Sequence, residues 1–439
     1  MSDIVVIGAG PIGCAVSTLL ASKGYNVVIF EKRKDIRNKK LVEGRSTHLV
    51  LSERSHEVIT QLGLNELINI NGIELKGRCV HKFKDPDLMI LYSKIGKSLV
   101  SIHRKKLNDI FIDRAISESN ITLKFSSELI SINEKNYSLT YKDLISGKII
   151  SCDYKHILAC DGANSKTREL LNDFQPSKDE KIEEKYQYKE ILINPALSLK
   201  WINNFMQAWP GGEYSFFAFP NNDQSWTGTF IFPTLDTSIN KLLKEFRDLV
   251  PELDEIEITK QIEFSKVSSL SSISCSSWVL GRNVTLMGDA ARSMLPFLGQ
   301  GLNSGIQDVG VFIDEVDRSS GDFYLASKQY FNTRKIEADA VLRLSKDMFK
   351  ELTSGIAHSS YPSRKKMISW LVEYFPDNFS DLYSDVAFTC KSYDEILNQS
   401  QSAEKIVNQL INFYPSLHDQ DKLDFLYQVK SLIDSKSYI

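Results

Sequence analysis

No run of roughly 18 apolar residues occurs anywhere in the 439-residue chain, so no segment reads as a membrane-spanning helix. The six cysteines, at 14, 79, 152, 160, 275 and 390, form no C-x-x-C pair, which predicts thiols kept reduced in the cytoplasm and excludes a disulfide scaffold. The seven histidines are scattered without metal-ligand spacing. With 53 basic against 56 acidic residues the net charge is −3, and the Lys/Arg runs at 32–40 and 103–106 are short enough to be solvated faces; a nucleic-acid partner is not expected. Repeats, low-complexity tracts and an obvious flexible linker are also missing. The first apolar strand starts at Ile4, which leaves no room for a signal or transit peptide and again predicts a cytoplasmic protein.

What remains is a chain of 42% hydrophobic residues, long enough to bury a large core in two closely packed domains with an appendage. Its N-terminus carries the first chemical signal. Ile4-Val-Val-Ile-Gly8-Ala-Gly10-Pro-Ile-Gly13 reads as a strand entering a G-x-G-x-x-G turn and then a helix, followed by a second strand, Val27-Val-Ile-Phe30, that ends at Glu31. The glycines serve separate needs: a tight turn at Gly8, close backbone approach to a pyrophosphate at Gly10, and close helix-to-strand packing at Gly13. Glu31 is expected to accept from ribose hydroxyls. A carboxylate there favours a free 2′-hydroxyl, hence FAD or NAD rather than NADP as the bound nucleotide.

The stretch Leu286-Met-Gly-Asp-Ala-Ala-Arg-Ser-Met-Leu-Pro-Phe-Leu-Gly-Gln-Gly-Leu-Asn-Ser-Gly305 decides between them in favour of FAD. Val284–Met287 reads as a strand, Asp289 as a hydroxyl ligand at its end, and the glycines at 299, 301 and 305 let backbone come close to a flat ring before a helix begins near Asn303. A helix N-terminus aimed there stabilises negative charge on a reduced flavin. A third element, His156-Ile-Leu-Ala-Cys-Asp161-Gly162-Ala-Asn-Ser165-Lys-Thr-Arg168, is another strand ending in Asp-Gly, then a polar turn into a helix.

The order of these three motifs resembles class A flavoprotein monooxygenases, and the sequence between them resembles the kynurenine 3-monooxygenase family. Gly44–Ser52, Gly77-Arg-Cys-Val-His81, Leu99–Leu107, Trp209-Pro210, Phe219-Pro-Asn221 with Thr227–Pro233, and Ser274–Trp278 carry the likeness, which covers nearly the whole chain. For FAD the resemblance implies Ile12 in the phosphate turn, Phe30, Glu31, Lys32 and Arg33 around the ribose, Val50, Arg104 and Leu129 along the cofactor, Asp289, and Leu302 with Asn303 beside Gly301 at the flavin ring. Arg104 also has a direct rationale as a bidentate partner of pyrophosphate oxygens.

For the substrate, a small aromatic amino acid, the resemblance implies Arg78 and Tyr92 at the carboxylate, with positions 348 and 383 completing the site. Tyr383 keeps the family's tyrosine, whereas Met348 stands where the family has asparagine and cannot donate or accept comparably; one polar anchor of the substrate is then missing unless Asp347 or Ser345 substitutes after a local shift. Arg292 stands where many relatives have histidine, with an expected effect on FAD affinity or redox poise. The implied reaction consumes NADPH or NADH and O2 and places an oxygen on an electron-rich aromatic ring, the cofactor carrying the difficult step. No strong general base is demanded, so no catalytic histidine is nominated. Phe216, Phe217, Phe219, Phe230, Pro296, Phe297 and Leu298 are expected to keep the site apolar. No second dinucleotide fingerprint exists, so the reductant is expected to dock transiently.

The expected fold class is α/β: an FAD-binding Rossmann-like domain (1–75, 100–175 and 285–335) interleaved with an antiparallel β-sheet substrate domain (76–99 and 180–284), plus a C-terminal helical module (336–439) interrupted at Pro362, Pro376 and Pro415. Apolar residues at 423, 426, 429, 432 and 433 predict a terminal amphipathic helix that packs on its own protein; eukaryotic relatives carry a membrane anchor in that region, and membrane-surface contact is the lesser alternative. The leading expectation is hydroxylation of L-kynurenine to 3-hydroxykynurenine. A related secondary-metabolism hydroxylase with another aryl substrate, and an FAD-binding protein without turnover, are the alternatives.

Overall fold

The computed structural model describes residues 2–35, 37, 48–81, 87–93, 96–172, 180–198, 200–235, 238–253, 255–355, 359–414 and 417–435. Gly44–Thr47 of the first family block, residues 38–40 of the basic run, 173–175 and Pro415 lie outside them. The Val/Ile-rich strand Ser2–Ile7 is the centre of one sheet, flanked in parallel by Val27–Phe30 and by Ile149–Ala159. Ile121–Lys124 extends the sheet on one side in parallel register. On the other side Val284–Leu286 pairs in parallel with Ile149–Ala159, and Val279–Leu280 closes the edge antiparallel. Near-continuous apolar runs are what a parallel sheet buried on both faces requires, and Ile4, Val5, Val6, Ile157, Leu158 and Ala159 are all buried. Helices Pro11–Ser22 and Gln300–Arg318 pack on this core.

A second sheet, of eight strands among the described residues, runs in the order Arg292–Ser293, Ser268–Ser274, Glu180–Ile193, Trp226–Pro233, Tyr214–Pro220, Phe205–Gly211, Gly77–Val80 and Leu88–Leu91. It is antiparallel except where Phe205–Gly211 lies parallel to Gly77–Val80. Its aromatic run divides between two faces because successive side chains in a strand alternate. Phe216, opposite Phe230 in the register, packs with it against Phe246 of the Ile239–Leu249 helix, ring centroids 5.1 Å apart in each pair. Phe217 and Phe219, opposite Thr229 and Thr227, point the other way.

The chain passes between the sheets more than once. Strands 279–286 belong to the first sheet, yet Arg292–Ser293, six residues further on, pairs with the second. The flavin-type loop therefore sits at their junction. Its helix starts at Gln300, three residues before the expected Asn303, since Gly299 takes the left-handed conformation (φ 64°) that turns the chain directly into it. Helix Phe323–Lys350 runs unbroken through residue 336 and leads into Tyr361–Tyr374, Leu382–Phe388, Tyr393–Leu410 and Lys422–Asp434. In the last of these Phe425 and Val429 are fully buried against Trp370 and Ile406, while Leu423, counted in the apolar stripe from sequence, is 82% exposed on the far side. No helix among the described residues is long and apolar enough to cross a membrane.

The two-faced aromatic sheet yields a stability test. Phe230→Ala should cost about 3–5 kcal/mol by opening a void in the packed face, whereas Phe217→Ala should cost clearly less; denaturant unfolding of both variants checks the difference, and equal losses would refute the face assignment.

Candidate functional site

Backbone approach at one glycine and side-chain contacts at two other points bring the three motifs together. Gly8, with φ 103°, lies so close to Cys160 that a Cβ there would sit 2.5 Å from its carbonyl oxygen, which ties the N-terminal turn to the Asp161-Gly162 bend. Ile12 fills the space above Gly305, where a Cβ would come within 2.8 Å of its Cδ1, and ties the same turn to the helix at 300. Arg168 completes the junction by donating to the carbonyls of Ala290 (2.7 Å) and Ala163 (2.6 Å).

One cavity of about 2300 Å³ runs from this junction to the second sheet. Of the expected cofactor residues Gly10, Ile12, Val50, Arg104, Asp289, Gly301 and Leu302 line it, and so do all four expected substrate residues, Arg78, Tyr92, Met348 and Tyr383. Gly8, Gly13, Phe30, Glu31, Lys32, Arg33, Leu129 and Asn303 are not on its wall. Phe30 is buried against Tyr141, ring centroids 4.5 Å apart, and Leu129 is buried on the strand Ser127–Asn133, opposite Tyr141 in the register. Lys32 is exposed. The Glu31 carboxylate is engaged on both oxygens: Ala9 N–H donates at 2.9 Å, Arg33 N–H at 2.8 Å, and the Arg33 guanidinium at 2.8 and 3.0 Å. Desolvation pushes its pKa up, but the Arg33 hydrogen bonds and charge outweigh this and hold it below the ordinary value. A ribose hydroxyl reaching Glu31 has to share it with Arg33. Asn303 acts as a backbone clamp: its side-chain NH2 donates to Val50 and Gly299 carbonyls, both at 2.7 Å, and its oxygen accepts from Ser52 N–H at 2.9 Å.

The residues present fit FAD. Gly10 caps the Pro11–Ser22 helix with no side-chain bond, and a Cβ at Gly10 would meet nothing within 4 Å, so the turn is open toward a phosphate at a helix N-terminus. A second helix N-terminus, at Gln300, opens on the same cavity with Gly299, Gly301 and Leu302 on the wall, its first N–H groups lacking intrahelical acceptors. Asp289 stands between these ends; desolvation raises its pKa, and the nearby Arg104 and Arg292 guanidiniums oppose the rise. Asp161 holds Thr167 N–H (3.0 Å) and hydroxyl (3.1 Å) with one oxygen, while its other oxygen is buried without a partner.

At the far end the Tyr92 and Tyr383 rings stack with centroids 4.9 Å apart, and the Arg78 guanidinium lies 5.9 Å from the Tyr383 ring centroid. Burial raises both phenol pKa values, so both hydroxyls are protonated donors at neutral pH. Arg78 Nε is buried with no partner, an N–H available to a bound anion. Met348 lies against Leu298, Met294 and Leu382 and gives the wall an apolar patch. Neither expected substitute reaches the cavity: Asp347 pairs with Arg343 on the surface (3.3 Å), and Ser345, fully buried, donates to the Leu295 carbonyl (2.6 Å). Of the apolar residues expected to line the site, Phe217, Phe219, Pro296, Phe297 and Leu298 do so; Phe216 and Phe230 lie instead on the opposite face of the sheet, as strand alternation requires.

Two polar features were missed from sequence. Glu351, one helical turn beyond Met348, lines the cavity and is held by the Tyr361 hydroxyl (2.9 Å) and Lys365 Nζ (2.6 Å); its i+3 spacing from position 348 was the available signal. His48 also lines the cavity, its ring nitrogens engaged by Ser101 Oγ (2.9 Å) and Asn221 Oδ1. Burial pushes its pKa down to about 4, so the imidazole is neutral at physiological pH.

Known proteins match this picture. The FAD binding domain family matches residues 1–312. The kynurenine 3-monooxygenase of Caenorhabditis briggsae is 30% identical over 93% of this chain and 95% of its own length, and that of the bacterium Christiangramia forsetii 29% identical over 93% and 94%. Among solved structures, the tetrameric form of 2-methyl-3-hydroxypyridine-5-carboxylic acid oxygenase shares the fold with a TM-score of 0.67 at 18% identity, covering 82% of this chain and 95% of that one. Pseudomonas aeruginosa PqsL in complex with 2-aminobenzoylacetate has a TM-score of 0.62 at 16% identity, covering 80% and 97%. The glycine turns, the shared cavity and these relatives lead to one conclusion: the chain is an FAD-dependent aromatic monooxygenase and belongs to the kynurenine 3-monooxygenase family.

Proposed function

We propose that the enzyme converts L-kynurenine to 3-hydroxykynurenine with NADPH and O2. The observation that carries this reading is Arg78, with a buried unpartnered Nε beside the stacked Tyr92–Tyr383 pair, on the same cavity as Asp289 and the Gln300 helix start. A guanidinium there holds the amino-acid carboxylate by a charge-assisted contact, and the two protonated tyrosines add neutral donors around it. Bound FAD supplies the hydride acceptance and the oxygen chemistry. Gly10, Ile12 and Arg104 hold its phosphates, Asp289 a hydroxyl of its ribityl chain, and the Gln300 helix start its ring. Phe217, Phe219, Pro296, Phe297 and Leu298 keep water from the reacting carbon. An amino group ortho to that carbon already activates the ring, so neutral His48 is not required as a base; its bond to Asn221, next to the strand Tyr214–Pro220, ties the strand His48–Leu51 to the substrate sheet.

Met348 favours a second reading, in which the preferred aryl substrate carries a less polar group at that point. The first reading expects L-kynurenine to accelerate NADPH oxidation by the yellow holoenzyme with matching formation of 3-hydroxykynurenine, measured by chromatography; acceleration by other aromatics alone would favour the second. Arg78→Ala should raise the KM for kynurenine by about 10- to 150-fold, the equivalent of roughly 1.5–3 kcal/mol for a charge-assisted hydrogen bond, and an unchanged KM would remove Arg78 from the substrate site. Met348→Asn restores a polar anchor worth about 1 kcal/mol and should lower that KM about fivefold; a rise instead would support an apolar group against position 348.

A further inference from the structure

Behind the first turns of the Gln300–Arg318 helix, on the side away from the cavity, the interior holds a cluster of charges. Asp308, fully buried, accepts from Arg292 Nη2 at 2.5 Å and from Arg334 Nε at 2.6 Å. Arg292 also donates to Ser304 Oγ at 2.6 Å, while its Nε and Nη1 are buried with no partner. A third buried guanidinium, Arg54, lies 3.7 Å from the Tyr393 ring centroid and donates to the carbonyls of Val386 (3.2 Å) and Lys391 (2.5 Å). The second carboxylate of the cluster, Glu337, accepts from Tyr393 N–H (2.7 Å) and Ser392 Oγ (2.5 Å). Burial holds the Tyr393 phenol up at about 12 and also raises Tyr330, so neither supplies a negative charge. Three guanidiniums are thus set against Asp308, Glu337 and, on the cavity side of Arg292, the Asp289 carboxyl, and Arg292 keeps two N–H groups with no acceptor.

An arginine so incompletely paired in the interior is costly for the fold. A buried unpaired charge is destabilising, and an apolar replacement of similar volume is often neutral or better. Its guanidinium becomes useful only if negative charge develops nearby in a medium that screens it weakly. The nearest cavity is the one just described: Ser304, which Arg292 grips, lies one turn from Gly301 and Leu302 on its wall, Tyr393 donates to Gln300 of the same turn at 2.9 Å, and Arg292 already acts on the Asp289 carboxyl across the helix start. A flavin ring gains negative charge when it takes up two electrons and one proton.

We propose that Arg292 is a positioning residue for charge rather than for geometry: its guanidinium, partly offset by Asp308, raises the reduction potential of the flavin seated at the Gln300 helix start. The inference rests on that seating, while the cluster itself touches neither cofactor nor substrate. Removing a positive charge from the cluster disfavours the reduced flavin, and removing a negative one favours it.

The test measures the two-electron midpoint potential of the bound FAD by anaerobic dye equilibration, together with FAD content and thermal stability, in the wild type and in Arg292→Met, Arg292→Lys, Arg334→Met and Asp308→Asn. Arg292→Met and Arg334→Met should lower the potential by at least the about 30 mV that a tenfold change in the oxidised-to-reduced ratio represents, Asp308→Asn should raise it, and Arg292→Lys should stay near wild type. A structural role predicts shifts of one sign, or none, alongside lost stability. Shifts of the same sign in Arg292→Met and Asp308→Asn, or unchanged potentials in variants that keep their FAD, would overturn the proposal. Should Arg292→Met lose its flavin, Asp308→Asn decides alone: an upward shift upholds the inference and any other result ends it. A wild type that binds no FAD would instead refute the seating on which the inference stands.

Discussion

The close approach of backbone at Gly8 and Gly305 is the constraint on which the site depends. The three segments that meet there are separated by about 150 and about 130 residues along the chain, and at Gly8 nothing bulkier than hydrogen fits against the Cys160 carbonyl. Hydrogen bonds then fix what packing has brought close: Arg168 to Ala290, and Asn303 to Val50, Gly299 and Ser52. The Gly8–Cys160 approach is between backbone atoms, so the sheet itself sets the helix start at Pro11, while the side chains of Ile12, Arg168 and Asn303 hold the Gln300 start against it. Two helix N-termini opening on one cavity make an environment that favours negative charge at both ends of a dinucleotide.

The cavity differs in character along its length. Its cofactor end is built from glycines, helix ends and a few charged groups, whose polarity is oriented rather than mobile. Its substrate end is carried by the second sheet, whose face offers Phe217 and Phe219 beside threonines, and by two C-terminal helices that bring Met348 and Tyr383. The join at residues 287–299 belongs to both. A change in the second sheet thus reaches the cofactor end through Arg292–Ser293, which pairs with Ser268–Ser274 only a few residues before Gly299.

Local patterns made the first sheet and the glycine turns legible in the sequence, since each is a strand-turn-helix unit whose requirements fall within about thirty residues. The pair Arg78 and Tyr92 was legible for another reason, the family's spacing. What escaped notice depended on distant partners or on ambiguous faces. Ser215-Phe-Phe-Ala-Phe219 is aromatic on both sides, so alternation could not say which rings face the cavity; only the helix Ile239–Leu249, packed on one side, decides. Gly299-Gln-Gly301 looked like loop because glycine is poor inside helices, yet the first glycine is the entry turn. Glu351 sits one turn past Met348, and its partners Tyr361 and Lys365 lie on the following helix, Tyr361–Tyr374.

The buried charges were the least visible part, because Arg292, Asp308 and Arg334 read singly as polar residues of a strand and two helices. Burial changes their meaning. A surface carboxylate between two arginines contributes little, but the same group without water controls how much positive potential reaches its surroundings. Asp308 lies about two turns into its helix, far enough from the cavity wall to touch nothing there and close enough, through Arg292 and Ser304, to act on it. The helix that presents its N–H groups to the cofactor is thereby held from behind by the residues that set the charge around it, so position and potential at the flavin end come from one set of side chains.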